Sequence, residues 1–209
     1  MEWFDATCHS FSTLATGGFS TQNANIGHYN SRWIEIITIV FMVIAGANFG
    51  LYYAAIRGRL RAIWSDTEFR FYMFLLTAGS AIVVFSLLGS GQALTSTTGA
   101  TESSSIGNTI TQGVFTAVSI QTNTGFTIAD YDTWPFAAKA VIVMMMFIGG
   151  CAGSTGGGIK VIRLILILKQ GHLEIKRLVH PNAVIPIKIS DQPVPDRVME
   201  AVWGFFSVY

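Results

Sequence analysis

Six glycines fall within the ten residues Gly149 to Gly158, and Lys160 follows two positions later. Glycines closed by a lysine could cradle a phosphate, because bare backbone amides and an ammonium both favour anions. The spelling excludes it. A nucleotide-binding loop needs G-x-x-x-x-G-K-[ST], whereas Gly158 is followed by Ile159 and Lys160 by Val161, and G-x-G-x-x-G fails in every frame. The flanks are apolar: Pro135 to Ile148 on one side, Val161 to Leu168 on the other. A glycine cluster between two apolar half-segments reads as a transmembrane helix broken in the middle. Irregular backbone is tolerated at membrane depth only where it is buried in protein or lines a wet cavity.

A second constellation occurs twice. Aligning Gly18-Phe19 with Gly125-Phe126 brings Ser12 onto Ser119, Gly17 onto Thr124 and Ser20 onto Thr127. Each unit runs through a short half-helix, a Thr/Gly stretch, a polar loop, a tryptophan (Trp33 or Trp134) and a long apolar segment with a glycine break. Gly46 to Gly50 falls roughly where Gly149 to Gly153 falls. A helix, a re-entrant loop and a second helix is the unit from which cation pores are made. Such a pore needs rings of backbone carbonyls that replace the hydration shell of an ion. Glycine suits the loop because carbonyls share one axis only if some residues take φ > 0. Thr16 and Thr124 can supply oxygens or hold the loop from behind. A single T-G-G-F or N-T-G-F is more often an ordinary polar loop; two at matching places favour the pore reading.

The positioning elements follow from hydropathy. The chain has 209 residues, 51% hydrophobic and 12% charged, with mean hydropathy +0.49, against about 25% charged residues in soluble domains. Trp33 to Ala55 is the first spanning candidate, about 35 Å long, with Ala45 to Gly50 as its soft spot; Phe69 to Leu88 is the second, about 30 Å. Pro135 to Leu168 would reach about 51 Å as one helix, too long for the bilayer without a break. Phe4 to Leu14 and Thr109 to Ile120 are too short to span. Gly89 to Gly107 reads as a polar surface loop, Lys169 to Ile189 as a basic segment, and Asp196 to Tyr209 as the start of a third span. Arg57, Arg59, Arg61, Arg70, Lys169, Lys176, Arg177, Lys188 and Arg197 share one side, which the positive-inside rule makes cytoplasmic. Both short segments then enter from outside. No signal peptide is visible at the N-terminus, and the chain reads as the middle of something longer. The expected fold is an all-α polytopic membrane protein.

Ile148 to Gln170, Arg177 to Ile189, Ala201 to Tyr209, Asp5 to Thr21 and Thr122 to Pro135 together closely resemble the bacterial TrkH/TrkG potassium-translocating subunits. These belong to the Trk/Ktr/HKT superfamily, in which four helix–pore-loop–helix repeats surround one K⁺ pathway. The resemblance implies that Thr16, Gly17 and Gly18, with Asn123, Thr124 and Gly125, form the selectivity-filter strands of the second and third repeats. K⁺ would be held by the backbone carbonyls of Thr16, Gly17, Asn123 and Thr124. It further implies that Gly149, Gly150, Gly153, Gly156, Gly157, Gly158 and Lys160 belong to an intramembrane gate loop. Residues 1–60 then form the second repeat without its outer helix, 61–180 the third, and 181–209 the start of a fourth. The implied location is the bacterial inner membrane, in contact with lipid. The implied partners are a second copy and a cytosolic nucleotide-binding regulatory subunit of the TrkA type. The transported ion is K⁺, by passive flow or symport, with no other cofactor. The third strand departs from the family's usual T-T-T-G-F in carrying Asn123, a mild change if the carbonyl coordinates. Two strands cannot close a fourfold ring, so the 209 residues alone are expected not to conduct. The alternative is a non-conducting module that serves structure or interaction.

Single residues carry less. Lys160 either faces the pore and opposes cations or snorkels toward the cytoplasm beside Arg163, and the two readings stand level. Asn48 is expected to tie helices together, Glu35 to be a solvated carboxylate, and Met144 to Met146 to be packing. His9, His28, His172 and His180 take no ligand role. Cys8 and Cys151 lack metal-ligand spacing, and Cys151 serves as a small residue. The spans hold almost no paired ionisable groups, which argues against a membrane enzyme, and a net charge of +1 makes no case for nucleic acid.

Overall fold

The computed structural model describes residues 1–90, 105–179, 186–189 and 192–208. Most of the loop 89–107 and residues 180–185 of the basic segment, His180 included, lie outside the described residues. The architecture is all-α, as the composition predicts: α1 (Trp3–Leu14), α2 (Arg32–Ala45), α3 (Phe49–Ile56), α4 (Arg61–Ser65), α5 (Thr67–Ser90), α6 (Ile106–Gln121), α7 (Phe136–Phe147), α8 (Val161–Val179) and α9 (Asp196–Val208). The exception is an antiparallel pair, β1 (Lys188–Ile189) with β2 (Gln192–Pro193).

Among the described helices only α5 is long and apolar enough by itself to cross a membrane. The expected first span, Trp33 to Ala55, is not continuous. It divides into α2 and α3, which meet at 94°. Tertiary contact decides the break. A Cβ on Gly46 would lie 2.5 Å from the Tyr72 hydroxyl, and the Asn48 side chain caps α3 by accepting from the Gly50 N–H at 2.8 Å. The Gly149–Gly158 stretch likewise separates α7 from α8, as its composition predicts.

α5 packs against α6, α7 and α8, while α2 packs against α1 and α6. One core joins both halves of the chain: Met42, Tyr72, Phe115, Val118, Phe126, Cys151 and Val161 lie within it. A second gathers Val83, Leu87, Trp134, Ala138 and Ile142. The two tryptophans therefore do not play equivalent parts. Trp33 is 76% exposed at the head of α2, whereas Trp134 is 3% exposed inside the second core.

Candidate functional site

The two half-helices α1 and α6 end in the same way. After α1, the N–H groups of Ala15, Thr16 and Gly17 donate to the carbonyls of Phe11 (2.9 Å), Thr13 (3.2 Å) and Ser12 (2.7 Å). After α6, those of Thr122, Asn123 and Thr124 donate to Val118 (2.9 Å), Ile120 (3.0 Å) and Ser119 (2.9 Å), the equivalent positions. The strands that follow are also alike. Thr16 and Gly18 take φ of 50° and 70°, Asn123 and Gly125 take 57° and 84°. Left-handed residues at alternate positions bring successive peptide groups to one face, the pattern a carbonyl-lined site requires. A non-glycine residue held left-handed costs about 1–2 kcal/mol, less for Asn, whose short amide tolerates the region. This is the physical reason Asn123 is acceptable at its position.

The strands are neighbours. A Cβ on Gly18 would run into the Thr124 carbonyl oxygen. Asn25, itself at φ 55°, ties them from behind. Its Nδ2 donates to the Gly18 carbonyl at 3.3 Å, and its Oδ1 accepts from the N–H groups of Ile26 (2.9 Å) and Thr127 (3.4 Å). Both threonine hydroxyls are engaged locally: Thr16 Oγ1 donates to the Ala15 carbonyl at 2.7 Å, and Thr124 Oγ1 lies 2.8 Å from Thr122 Oγ1. Thr16 thus bonds backbone, and Thr124 bonds the neighbouring threonine hydroxyl.

The units differ beneath the strands. Ser119 Oγ donates to the Phe126 carbonyl at 2.7 Å over a buried Phe126, while Ser12 Oγ is buried without a hydrogen-bond partner among the described residues and Phe19 is 82% exposed. Nearby, buried His9 contacts the Asp5 carbonyl through Nδ1 (2.6 Å) and Ser20 Oγ through Nε2 (2.9 Å). Asp5 accepts from the hydroxyls of Thr21 (2.8 Å) and Tyr29 (2.9 Å), which hold its carboxyl below the usual carboxylate range. His9, assigned no ligand role from sequence, is thus a brace for the first strand.

The glycine loop lies against the ends of both half-helices. Its neck is closed by a parallel bridge between Ile148 and Ile159, with Gly149 N–H donating to the Ile159 carbonyl (2.9 Å) and Ile159 N–H to the Phe147 carbonyl (3.0 Å). A Cβ at Gly149 would strike the Gly157 carbonyl, so only glycine fits there. The loop enters the notch made by the α2–α3 break: Cys151 N–H donates to the Gly46 carbonyl (2.9 Å), and Phe49 N–H donates to the Gly153 carbonyl (3.1 Å). The two glycine breaks aligned by the repeat therefore grip each other. At the tip, Thr155 Oγ1 is 2.9 Å from the Leu14 carbonyl and 3.3 Å from that of Ala45. On the other side, Asn123 Oδ1 is buried without a hydrogen-bond partner among the described residues, near Gly149 and Gly158.

Lys160 turns back on its own loop. Its ammonium donates to the Gly156 carbonyl and to Ser154 Oγ, the latter at 3.4 Å. The residue that sequence reasoning missed is Glu68, in the first turn of α5 and 6% exposed. Its Oε1 accepts from the N–H groups of Ala152 (2.6 Å) and Ile162 (3.2 Å), beyond either end of the glycine-rich tip. A lone glutamate at a helix N-terminus reads as an ordinary dipole-favoured acid, and no local signal points to partners 84 and 94 positions away.

The family model for TrkH, a cation transport protein, matches residues 1–209. The chain is 45% identical over its full length to the Trk system potassium uptake protein TrkH of Escherichia coli (strain K12), and 47% identical to TrkH of Halomonas elongata. It spans 41% of the length of each of these relatives. The crystal structure of the potassium transporter TrkH from Vibrio parahaemolyticus superposes with a TM-score of 0.89 at 42% identity, covering 99% of this chain and 43% of that one.

Proposed function

The chain belongs to the TrkH family of cation transport proteins, and on that premise we propose that it is the central part of a protein that takes up K⁺ across the bacterial inner membrane. Residues 1–60 supply the second pore repeat, 61–180 the third, and 181–209 the beginning of the fourth. Thr16, Gly17, Gly18, Asn123, Thr124 and Gly125 are the filter residues, with K⁺ passing the carbonyls of Thr16, Gly17, Asn123 and Thr124. The Gly18 carbonyl is occupied by Asn25, which agrees with leaving it out of the ligand set. The loop from Gly149 to Lys160 is the gate.

The observation that carries this reading is the repeated backbone: two adjacent strands, left-handed at the same alternate positions and hung from half-helices with the same hydrogen bonds. An ordinary pair of surface loops has no cause to share that geometry. Carbonyl-lined strands and a glycine loop lying against the half-helices that bear them are parts for moving an ion. A second copy of the protein and a cytosolic nucleotide-binding subunit are the proposed partners, the basic Arg57-Gly58-Arg59-Leu60-Arg61 segment being on the face proposed as cytoplasmic.

The test is growth of a bacterium lacking K⁺ uptake at low K⁺. The gene product that carries these residues should rescue growth, and the 209 residues alone should not. Failure of the whole gene product to rescue, with the protein present in the membrane, overturns the reading.

A further inference from the structure

We infer that Glu68 is the latch of the glycine loop: its carboxylate holds the loop in its present crossing, and transport requires that hold to be released. The inference deepens the gate reading and rests on it.

The geometry is specific. One carboxylate oxygen collects two backbone N–H groups, Ala152 at 2.6 Å and Ile162 at 3.2 Å. The first belongs to the shoulder of the loop. The second is a first-turn N–H of α8, one of the donors a helix cannot satisfy internally. Glu68 thereby joins the loop to the helix that leaves it and ties both to α5. The bonds that tie the loop to α1 and to the α2–α3 break are neutral: the Cys151–Gly46 and Phe49–Gly153 backbone bonds and the Thr155 hydroxyl; the Lys160 ammonium bonds only within the loop. A bond to an ionised acceptor is roughly twice as strong as a neutral one, so Glu68 is the strongest single point of hold.

Burial makes the same case. A carboxylate at 6% exposure is costly unless it is hydrogen-bonded or paired. No ion pair includes Glu68 among the described residues. Lys160, the cation of the loop itself, is turned to Gly156 and Ser154. What the Glu68 carboxylate bonds to is backbone next to Cys151 and Val161, both in the core, so losing the bonds loosens the seat of the loop there. Glu68 does not touch either filter strand, so it is a positioning residue whose effect is on opening and not on ion recognition.

Cys151, fully buried beside Ala152, is a reporter that does not depend on transport. In the full gene product, with every other cysteine including Cys8 replaced by serine, Glu68→Ala should raise the rate of maleimide labelling of Cys151 by about a hundredfold or more, as expected for two lost bonds to a carboxylate. Glu68→Gln, which keeps a neutral acceptor oxygen, should label at a rate between those of the parent protein and Glu68→Ala. In proteoliposomes, Glu68→Ala should raise maximal Rb⁺ flux and leave the half-saturating concentration unchanged. If Glu68→Ala does not fold, Glu68→Asp, which withdraws the carboxylate by one methylene, substitutes for it. Labelling of the Ala or Asp variant at the parent rate overturns the latch, as does equally fast labelling of Glu68→Gln. Faster labelling with unchanged flux in a conducting protein overturns its role in opening. Faster labelling when no variant conducts, the parent included, supports the latch and counts against the transport reading instead.

Discussion

Thr16 and Asn123 stand at equivalent points just past α1 and α6, and both are held left-handed, at φ 50° and 57°. Neither is glycine, so the surrounding hydrogen bonds must sustain the strain. The two residues stand 107 positions apart in sequence, yet the strands they begin hang from their half-helices by the same three hydrogen bonds.

The two glycines that follow them should respond differently to alanine. Both are left-handed, but a Cβ at Gly18 meets the Thr124 carbonyl while one at Gly125 meets nothing within 4 Å among the described residues. Gly125→Ala should cost about 1–2 kcal/mol, the backbone penalty alone. Gly18→Ala should cost clearly more and abolish uptake, because the adjacent strand has to move. Thermal unfolding in detergent together with Rb⁺ flux decides it; equal effects at the two sites would contradict the arrangement of the strands.

Asn25 should act on selectivity through the strands it joins. Asn25→Gly preserves the left-handed backbone but removes the bonds to the Gly18 carbonyl and the Thr127 N–H. The expected result is a K⁺ over Na⁺ preference reduced severalfold, with a stability loss of about 1–2 kcal/mol. Reversal potentials in bilayers measure the first, and unchanged selectivity would show that the tie is dispensable.

Lys160 secures the loop from inside. Lys160→Met removes its bonds to the Gly156 carbonyl and Ser154 Oγ while retaining an apolar stem of similar length. Flux through the full gene product should rise. Flux at the parent level in both Lys160→Met and Lys160→Ala would remove Lys160 from the gate.

Acid should loosen the outer brace of the first strand. Hydroxyls from Thr21 and Tyr29 lower the Asp5 pKa, with burial opposing and His9 assisting. A carboxylate whose folded pKa lies below its unfolded value stabilises fully above the unfolded value, about 3.9, and loses that contribution as pH falls through the lowered folded pKa. Proteolysis of the segment between α1 and α2 should therefore accelerate below about pH 4, and Asp5→Asn should flatten the profile. A profile identical in the variant would mean another group governs the segment.

Much of this was legible because it was local or repeated. The glycine run between apolar halves marks the interruption from Phe147 to Val161, and the paired Thr/Gly stretches locate both strands. The path of the chain at Gly46 was not legible in the same way. The soft spot from Ala45 to Gly50 is visible, but a right-angled turn depends on Tyr72 and Asn48 filling and capping it. The opposite fates of Trp33 and Trp134 likewise depend on what α5 and α7 bring alongside. Glu68 shows the limit most plainly, since its meaning resides in two amides from a distant segment.

The neck of the glycine loop has a kinetic consequence. Because Ile148 and Ile159 are bridged, the loop begins and ends at one point, and a swing of its tip need not alter the paths of α7 and α8. Tilting packed helices takes on the order of microseconds to milliseconds, whereas a loop hinged at its base moves on the order of nanoseconds to microseconds. A pathway closed by such a flap can flicker faster than its frame can breathe, and the dwell time of each closure is then set by the few bonds broken at its edge.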